Sequence, residues 1–128
     1  MADLKEKSIS LLSETTVSLA AVAATTLYTV PTGKRCVLTH AILVAAADCS
    51  TSVLTIGQST AKTDFVNSAT LSSIDAQYDV AYMSPLPSAT IPPKIESYAA
   101  ATIIQVDVTT ANGAAGNTIY LFGFLYDA

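Results

Sequence analysis

The residues best suited to chemistry lie in one short stretch, LYTVPTGKRCVLTH, at positions 27–40. Cys36 with His40 is a potential nucleophile and base or a pair of metal ligands, and Gly33-Lys34 is a dipeptide of the kind that contacts phosphate. His40 is the only histidine in the chain, so any Ser-His-Asp or Cys-His mechanism depends on it. Whether these side chains meet depends on the elements that carry them.

Strand geometry argues against the Cys-His pair. Residues 35–45 read as one long strand, in which Cys36 and His40 share a face two pleats apart. Their Cβ atoms are then roughly 13 Å apart at ~3.3 Å rise per residue, whereas the chemistry needs a hydrogen bond of ~3 Å. Gly33-Lys34 lacks both the earlier glycine and the following Ser or Thr of a phosphate loop. We therefore expect no enzyme, no catalytic residue and no cofactor.

No metal site is predicted either. The acidic residues are scattered, and Asp75 with Asp79 is the nearest approach to a cluster. Cys36 and Cys49 are too few for a zinc site or a disulfide framework, and we interpret them as two small buried thiols.

Composition indicates one weakly charged domain. The 128 residues are 51% hydrophobic and only 12% charged, about half the usual charged fraction, so burial against other subunits is a natural expectation. The net charge of −4 argues against nucleic acid as a partner. No apolar run approaches the ~20 residues of a membrane helix, so no membrane partner is expected. The acidic residues ahead of the Ala-rich run at 18–24 argue against a signal peptide.

The chain is predicted to be all-β after a short arm. Residues 1–14 are the charge-dense N-terminal arm, and residues 15–128 form one β-sandwich of jelly-roll or Greek-key type, because short runs rich in Val, Ile, Thr and Tyr alternate with Gly, Pro, Asn and Ser. The expected strands cover residues 15–19, 26–30, 35–45, 52–56, 69–71, 80–83, 89–91, 101–108 and 118–126.

The last strand has two apolar faces. Tyr120, Phe122, Phe124 and Tyr126 alternate with Ile119, Leu121 and Leu125. Such a strand is either central in the sandwich or covered by another subunit, so the four aromatic residues are assigned to the core or to a subunit seam.

The stretch around Gly33 is interpreted as a turn. Pro31 and Thr32 fit the centre of a type I turn, and Gly33 fits the left-handed position of a hairpin bulge. The segment YTVPTGK, followed by a long strand, resembles the Tyr-Thr-Val-Pro-x-Gly-Lys hairpin of small virion proteins of tailed bacteriophages, among them capsid decoration (cement) proteins and tail-associated sandwich proteins. The resemblance covers about a sixth of the chain and carries over no catalytic residue.

The resemblance implies a structural role in the virion. We expect a non-enzymatic capsid decoration protein that binds the major capsid protein, stabilises the shell as a homo-oligomer, commonly a trimer, and is made in the cytoplasm of the bacterial host. The arm is expected to contact the capsid through six residues: Asp3, Leu4, Lys5, Lys7, Leu11 and Leu12.

Two alternatives remain open besides capsid decoration. The chain could be a structural protein of the phage tail or neck, since both locations suit a small apolar sandwich. It could also be a carbohydrate- or receptor-binding module that stacks sugars on Tyr78, Tyr82 and Tyr98.

Overall fold

The computed structural model describes residues 8–128, and these contain strands, turns and bends without a helix. In chain order the strands are β1 (Ser10–Val17), β2 (Ala24–Thr29), β3 (Lys34–Val44), β4 (Val53–Gln58), β5 (Ala61–Thr70), β6 (Val80–Met83), β7 (Ser97–Tyr98), β8 (Ile103–Thr110) and β9 (Asn117–Asp127).

The strands form two antiparallel sheets. Sheet I has the order β1-β9-β3-β6, with β7 also paired to β3, and sheet II has the order β2-β8-β4-β5. Consecutive strands often lie in different sheets, and β8 and β9 are inserted between earlier strands. This order is typical of a jelly roll, in which two Greek keys are wound together. The predicted all-β sandwich is confirmed.

The core lies between the two sheets and explains the strand patterns. In β8, Ile104, Val106 and Val108 are buried while Gln105 and Asp107 lie on the opposite face, as the alternation predicts. In β9 the inward set is Ile119, Leu121 and Leu125. Neighbouring strands add further fully buried side chains: Leu38, Leu43, Leu54 and Ile56.

The turn at Gly33 is present, but the predicted hairpin is wrong. The Lys34 N–H donates to the Pro31 carbonyl at 3.3 Å, which makes Thr32 and Gly33 the central residues, with Gly33 at φ 77°. The strands on either side of this turn belong to different sheets: β2 pairs with β8, and β3 pairs with β9. The connection therefore crosses the sandwich edge, because β3 finds its partners in sheet I.

The boundary of the arm also differs from the prediction. Residues predicted as its end belong to β1, which pairs with β9 along the edge of sheet I. Leu12 is buried in the core, so it is not available to a capsid. A β-bulge between Leu11 and Ser13 breaks the alternation there, which is why this strand does not show in the hydrophobic pattern.

Two other predicted strands change. Residues 89–91 are not a strand but part of the proline-rich connection after β6, in which Leu86 bridges to Val66 at the edge of β5. The strand predicted at 69–71 is the end of the longer β5, whose first half carries Lys, Thr and Asp and lacks an apolar signal.

Candidate interaction surface

The structure separates Cys36 from His40 more completely than strand spacing predicts. A β-bulge between Leu38 and His40 shifts the pairing of β3 with β9 by one residue. Cys36 therefore points into the core, whereas His40 stacks on Phe122 at the outer face of sheet I. The prediction that both side chains share one face was wrong, since a bulge inverts the alternation beyond it.

Both cysteines are buried free thiols. Burial raises the pKa of Cys36 from 9.0 to about 12. Burial, and then the nearby Asp48 carboxylate, raises the pKa of Cys49. Reactive cysteines have the opposite shift, because the thiolate is the nucleophile. These two side chains therefore serve packing.

The Asp75 and Asp79 pair closes a loop. Oδ2 of Asp79 accepts the backbone N–H groups of Asp75 at 3.1 Å and Ala76 at 3.0 Å. Within residues 8–128, no three His, Cys, Asp or Glu side chains are grouped so that they could hold a metal ion. No helix in that range is long and apolar enough to cross a membrane.

Tyr98 links the two sheets through a hydrogen bond. Its hydroxyl donates to Oδ1 of Asp64 at 2.7 Å, and Asp64 also accepts the side-chain amide of Gln58 at 2.7 Å. Burial, and then the hydrogen bond to Asp64, raises the pKa of Tyr98. Because Tyr98 is buried, its proposed part in sugar stacking is wrong; Tyr78 and Tyr82 are exposed.

The outer face of sheet I carries aromatic side chains from three strands. We call it the aromatic face, and it comprises Tyr120, Phe122, Phe124 and Tyr126 of β9, His40 and Ile42 of β3, and Tyr82 of β6. The β9 members are partly exposed, while their neighbours along the strand point into the core. The structure thus excludes the core for these four side chains and leaves them available to a partner.

Ring stacking and hydrogen bonds give the aromatic face a defined shape. The ring of His40 lies 4.5 Å from that of Phe122 and 5.4 Å from that of Tyr82, centroid to centroid. At the far end, Arg35 Nε donates to Ser97 Oγ at 2.9 Å, and the same Oγ bonds the hydroxyl of Tyr126. Side chains held in this way lose little conformational entropy when a partner covers them.

The outer face of sheet II has a different chemistry. Gln105 and Asp107 of β8 lie on that side; Gln105 is buried, and Lys62 Nζ lies 3.5 Å from Asp107 Oδ2. A polar outer face is what a sheet open to water requires, whereas an aromatic one is typical of an interface. The two faces therefore differ in the partners that they suit.

No family model matches the chain, and no curated protein sequence matches it. A solved structure described as the capsid of Ralstonia phage GP4 contains a chain that matches it with a TM-score of 0.58. This chain shares the fold of a phage capsid component. The match covers 94% of this chain and 84% of that chain, at 21% sequence identity, so the shared property is the fold.

The six residues predicted to contact a capsid do not share one environment. Leu11 is exposed and lies opposite Phe122, so it extends the aromatic face onto β1. Leu12 is buried, and Asp3, Leu4, Lys5 and Lys7 lie outside the described residues. The sequence indicates the aromatic residues of β9 but not that His40, Ile42 and Tyr82 lie beside them, because strand pairing alone brings these three there.

Proposed function

We propose that this chain is a non-enzymatic structural protein of a tailed-phage virion that decorates the capsid and stabilises it. The observation that carries the proposal is the match of almost the whole chain to a phage capsid component, 94% of its length. The YTVPTGK segment resembles virion proteins of this class in sequence alone, because its flanking strands lie in different sheets and form no hairpin. The capsid origin of the structural match supports decoration over a tail or neck location.

The mechanism is burial of preformed surface. The aromatic face is the seam between copies in a homo-oligomer, for which the resemblance implies a trimer, and the N-terminal segment contacts the major capsid protein. Removing apolar area from water contributes about 25 cal/mol per Å², and an aromatic side chain carries about 150–250 Å². Ordering costs subtract from this sum, and the stacked rings lower those costs.

Co-sedimentation tests the proposal. Purified chain is mixed with capsids of its own phage that lack it, and the pellet is compared with that of the chain alone. Saturable binding to the capsids, with a rise in the temperature at which they release DNA, is the expected result. Binding to isolated tails and not to capsids would favour the tail alternative, and binding to a glycan array alone would favour the sugar-binding module.

A further inference from the structure

Sheet I ends in two edge strands that point in opposite directions. β1 runs antiparallel to β9, β9 to β3, and β3 to β6, so β1 and β6 are antiparallel to each other. Among residues 8–128, no strand pairs with the outer side of either one. An unpaired strand edge is a template for another chain. Here a second copy placed beside the first continues the antiparallel alternation without interruption.

The backbone of β6 offers its polar groups at two residues. The Ala45 N–H donates to the Asp79 carbonyl at 2.9 Å, which places Leu43 with Ala81 in a hydrogen-bonded pair two residues further on. The N–H and C=O groups of Val80 and Tyr82 therefore point away from β3, toward the free edge.

Exposed apolar side chains mark both edges. At β1 these are Ile9, 61% exposed, and Leu11, 42% exposed; at β6 they are Val80, 55% exposed, and Tyr82, 67% exposed. Leu11 lies opposite Phe122, and Tyr82 lies opposite Ile42, so both belong to the outer face of sheet I. Placed side by side, they become aliphatic–aromatic cross-strand neighbours, which stabilise antiparallel pairs.

There is also room at the β6 edge. A shallow groove of about 220 Å³ lies between the edges of the two sheets, and its lining includes Ala69 and Thr70 of β5 and residues 80–83 of β6. The lining contains no charged side chain. Leu71, Ser73 and Ile74 of the loop between β5 and β6 complete the lining, so an incoming β1 meets no charged side chain in this groove.

We propose that β1 of one copy pairs antiparallel with β6 of the next, so that sheet I of each copy joins sheet I of its neighbour edge to edge. This contact is head-to-tail, and repeated around an axis it closes into a ring in which every edge of sheet I is used. It rests on the proposed function, in which the homo-oligomer is a trimer, and specifies which strands meet. The aromatic faces then turn toward the common axis.

Cysteine cross-linking between two single variants tests the pairing. Chains carrying Leu11→Cys are co-expressed with chains carrying Val80→Cys, and the mixture is treated with a short bismaleimide, whose reach tolerates an unknown register. Cross-linked dimers in the mixture, and none in either variant alone, are the expected result. The native thiols of Cys36 and Cys49 are buried, so wild type is the unreactive control.

The double variant reports ring closure. Leu11→Cys combined with Val80→Cys in one chain is expected to give covalent species up to three chains and no longer ladder. The control pairs Val80→Cys with Val22→Cys, which is as exposed as Tyr82 at 67% but lies in the loop after β1, and no cross-link is expected. Cross-links between chains that carry the same single substitution indicate two-fold packing of like edges. Covalent oligomers of more than three chains indicate an open filament. Either result overturns the proposal.

The same cross-linking is repeated on capsids that carry the chain, so that assembly on the shell is also sampled. Absence of the Leu11–Val80 link both in solution and on capsids overturns the edge pairing while leaving capsid binding intact. Cross-linked rings that do not co-sediment with capsids overturn the proposed function and retain the edge pairing.

Discussion

The imidazole of His40 stacks on the ring of Phe122, with centroids 4.5 Å apart and ring planes 9° apart. This contact exists because the β-bulge in β3 turns His40 outward, opposite Phe122. The only histidine of the chain thus sits in the middle of an aromatic surface, next to the exposed ring of Tyr82. These surroundings suit a packing role, since stacked aromatic groups contribute area and shape.

Substitution of Phe122 is expected to separate association from folding. Phe122→Thr keeps β-propensity but removes the ring that stacks on His40, so the free energy of unfolding should fall by about 1–2 kcal/mol while association is lost. The adjacent Leu121→Ala creates a cavity in the core and should cost about 2–5 kcal/mol. Sedimentation velocity and urea unfolding measure the two effects. A Phe122→Thr chain that associates like wild type would show that the aromatic face is not the seam.

Alkaline pH is expected to destabilise the fold through Cys36, Cys49 and Tyr98. All three have a raised pKa in the folded chain, so above about pH 9 the unfolded chain binds fewer protons than the folded one. The contribution of these groups to the free energy of unfolding is fully present below pH 9. It falls as pH rises toward 12, by at most about 1.4 kcal/mol per pH unit for each group.

Two variants show which residue causes the loss of stability at high pH. In urea unfolding measured from pH 7 to 11, Cys36→Ala should reduce the loss of unfolding free energy that begins near pH 9. Tyr98→Phe should reduce the loss that begins near pH 10. Tyr98→Phe should also cost about 1 kcal/mol at neutral pH, since Asp64 loses one hydrogen bond. Unchanged slopes in both variants would contradict the burial of these groups.

Gly123 is expected to tolerate no side chain. A Cβ there would collide with the carbonyl oxygen of Val37 and lie 3.1 Å from Leu12 Cδ1, because β1 and β3 both approach closely beside their bulges. Gly123→Ala should therefore destabilise by about 1–3 kcal/mol. At Gly33, with φ 77° and open space around it, Gly33→Asn should cost less, since Asn accepts the left-handed region. Equal losses in thermal unfolding would contradict this difference.

Two truncations separate the N-terminal segment from β1. Removing residues 1–7 should leave the unfolding transition unchanged and abolish capsid co-sedimentation, as expected if the segment contacts the shell. Removing residues 1–14 also deletes Leu12 from the core and uncovers β9, so it should lower stability by several kcal/mol. Full capsid binding by the shorter truncation would show that the segment is not the contact.

The sequence predicts best where strand alternation is unbroken. In β8 and β9 the inward and outward sets follow directly from the period of two, because both strands lie in the middle of a sheet and bury one full face. The positive φ of Gly33 was also predictable, since turn chemistry is local. The turn does not reveal to which sheet each flanking strand belongs, because strand pairing is decided by contacts distant in sequence.

The bulges account for the main misses at the site. Nothing in Leu38-Thr39-His40 or in Leu11-Leu12-Ser13 signals an extra residue, yet each bulge moves the following side chains to the other face. Unbroken alternation therefore predicts His40 on the same face as Cys36, and the first five residues of β1 read as the end of the arm. The two-residue β7 had no pattern to detect, because its place is fixed by the contacts of Arg35 and Asp64 with Ser97 and Tyr98.

Electron cryomicroscopy of the intact virion tests the central claim most directly. We predict density for this sandwich on the outer surface of the capsid, with the aromatic face covered by neighbouring copies and the outer face of sheet II open to solvent. Density for the chain in the tail, its absence from the particle, or an aromatic face left open to solvent would contradict it.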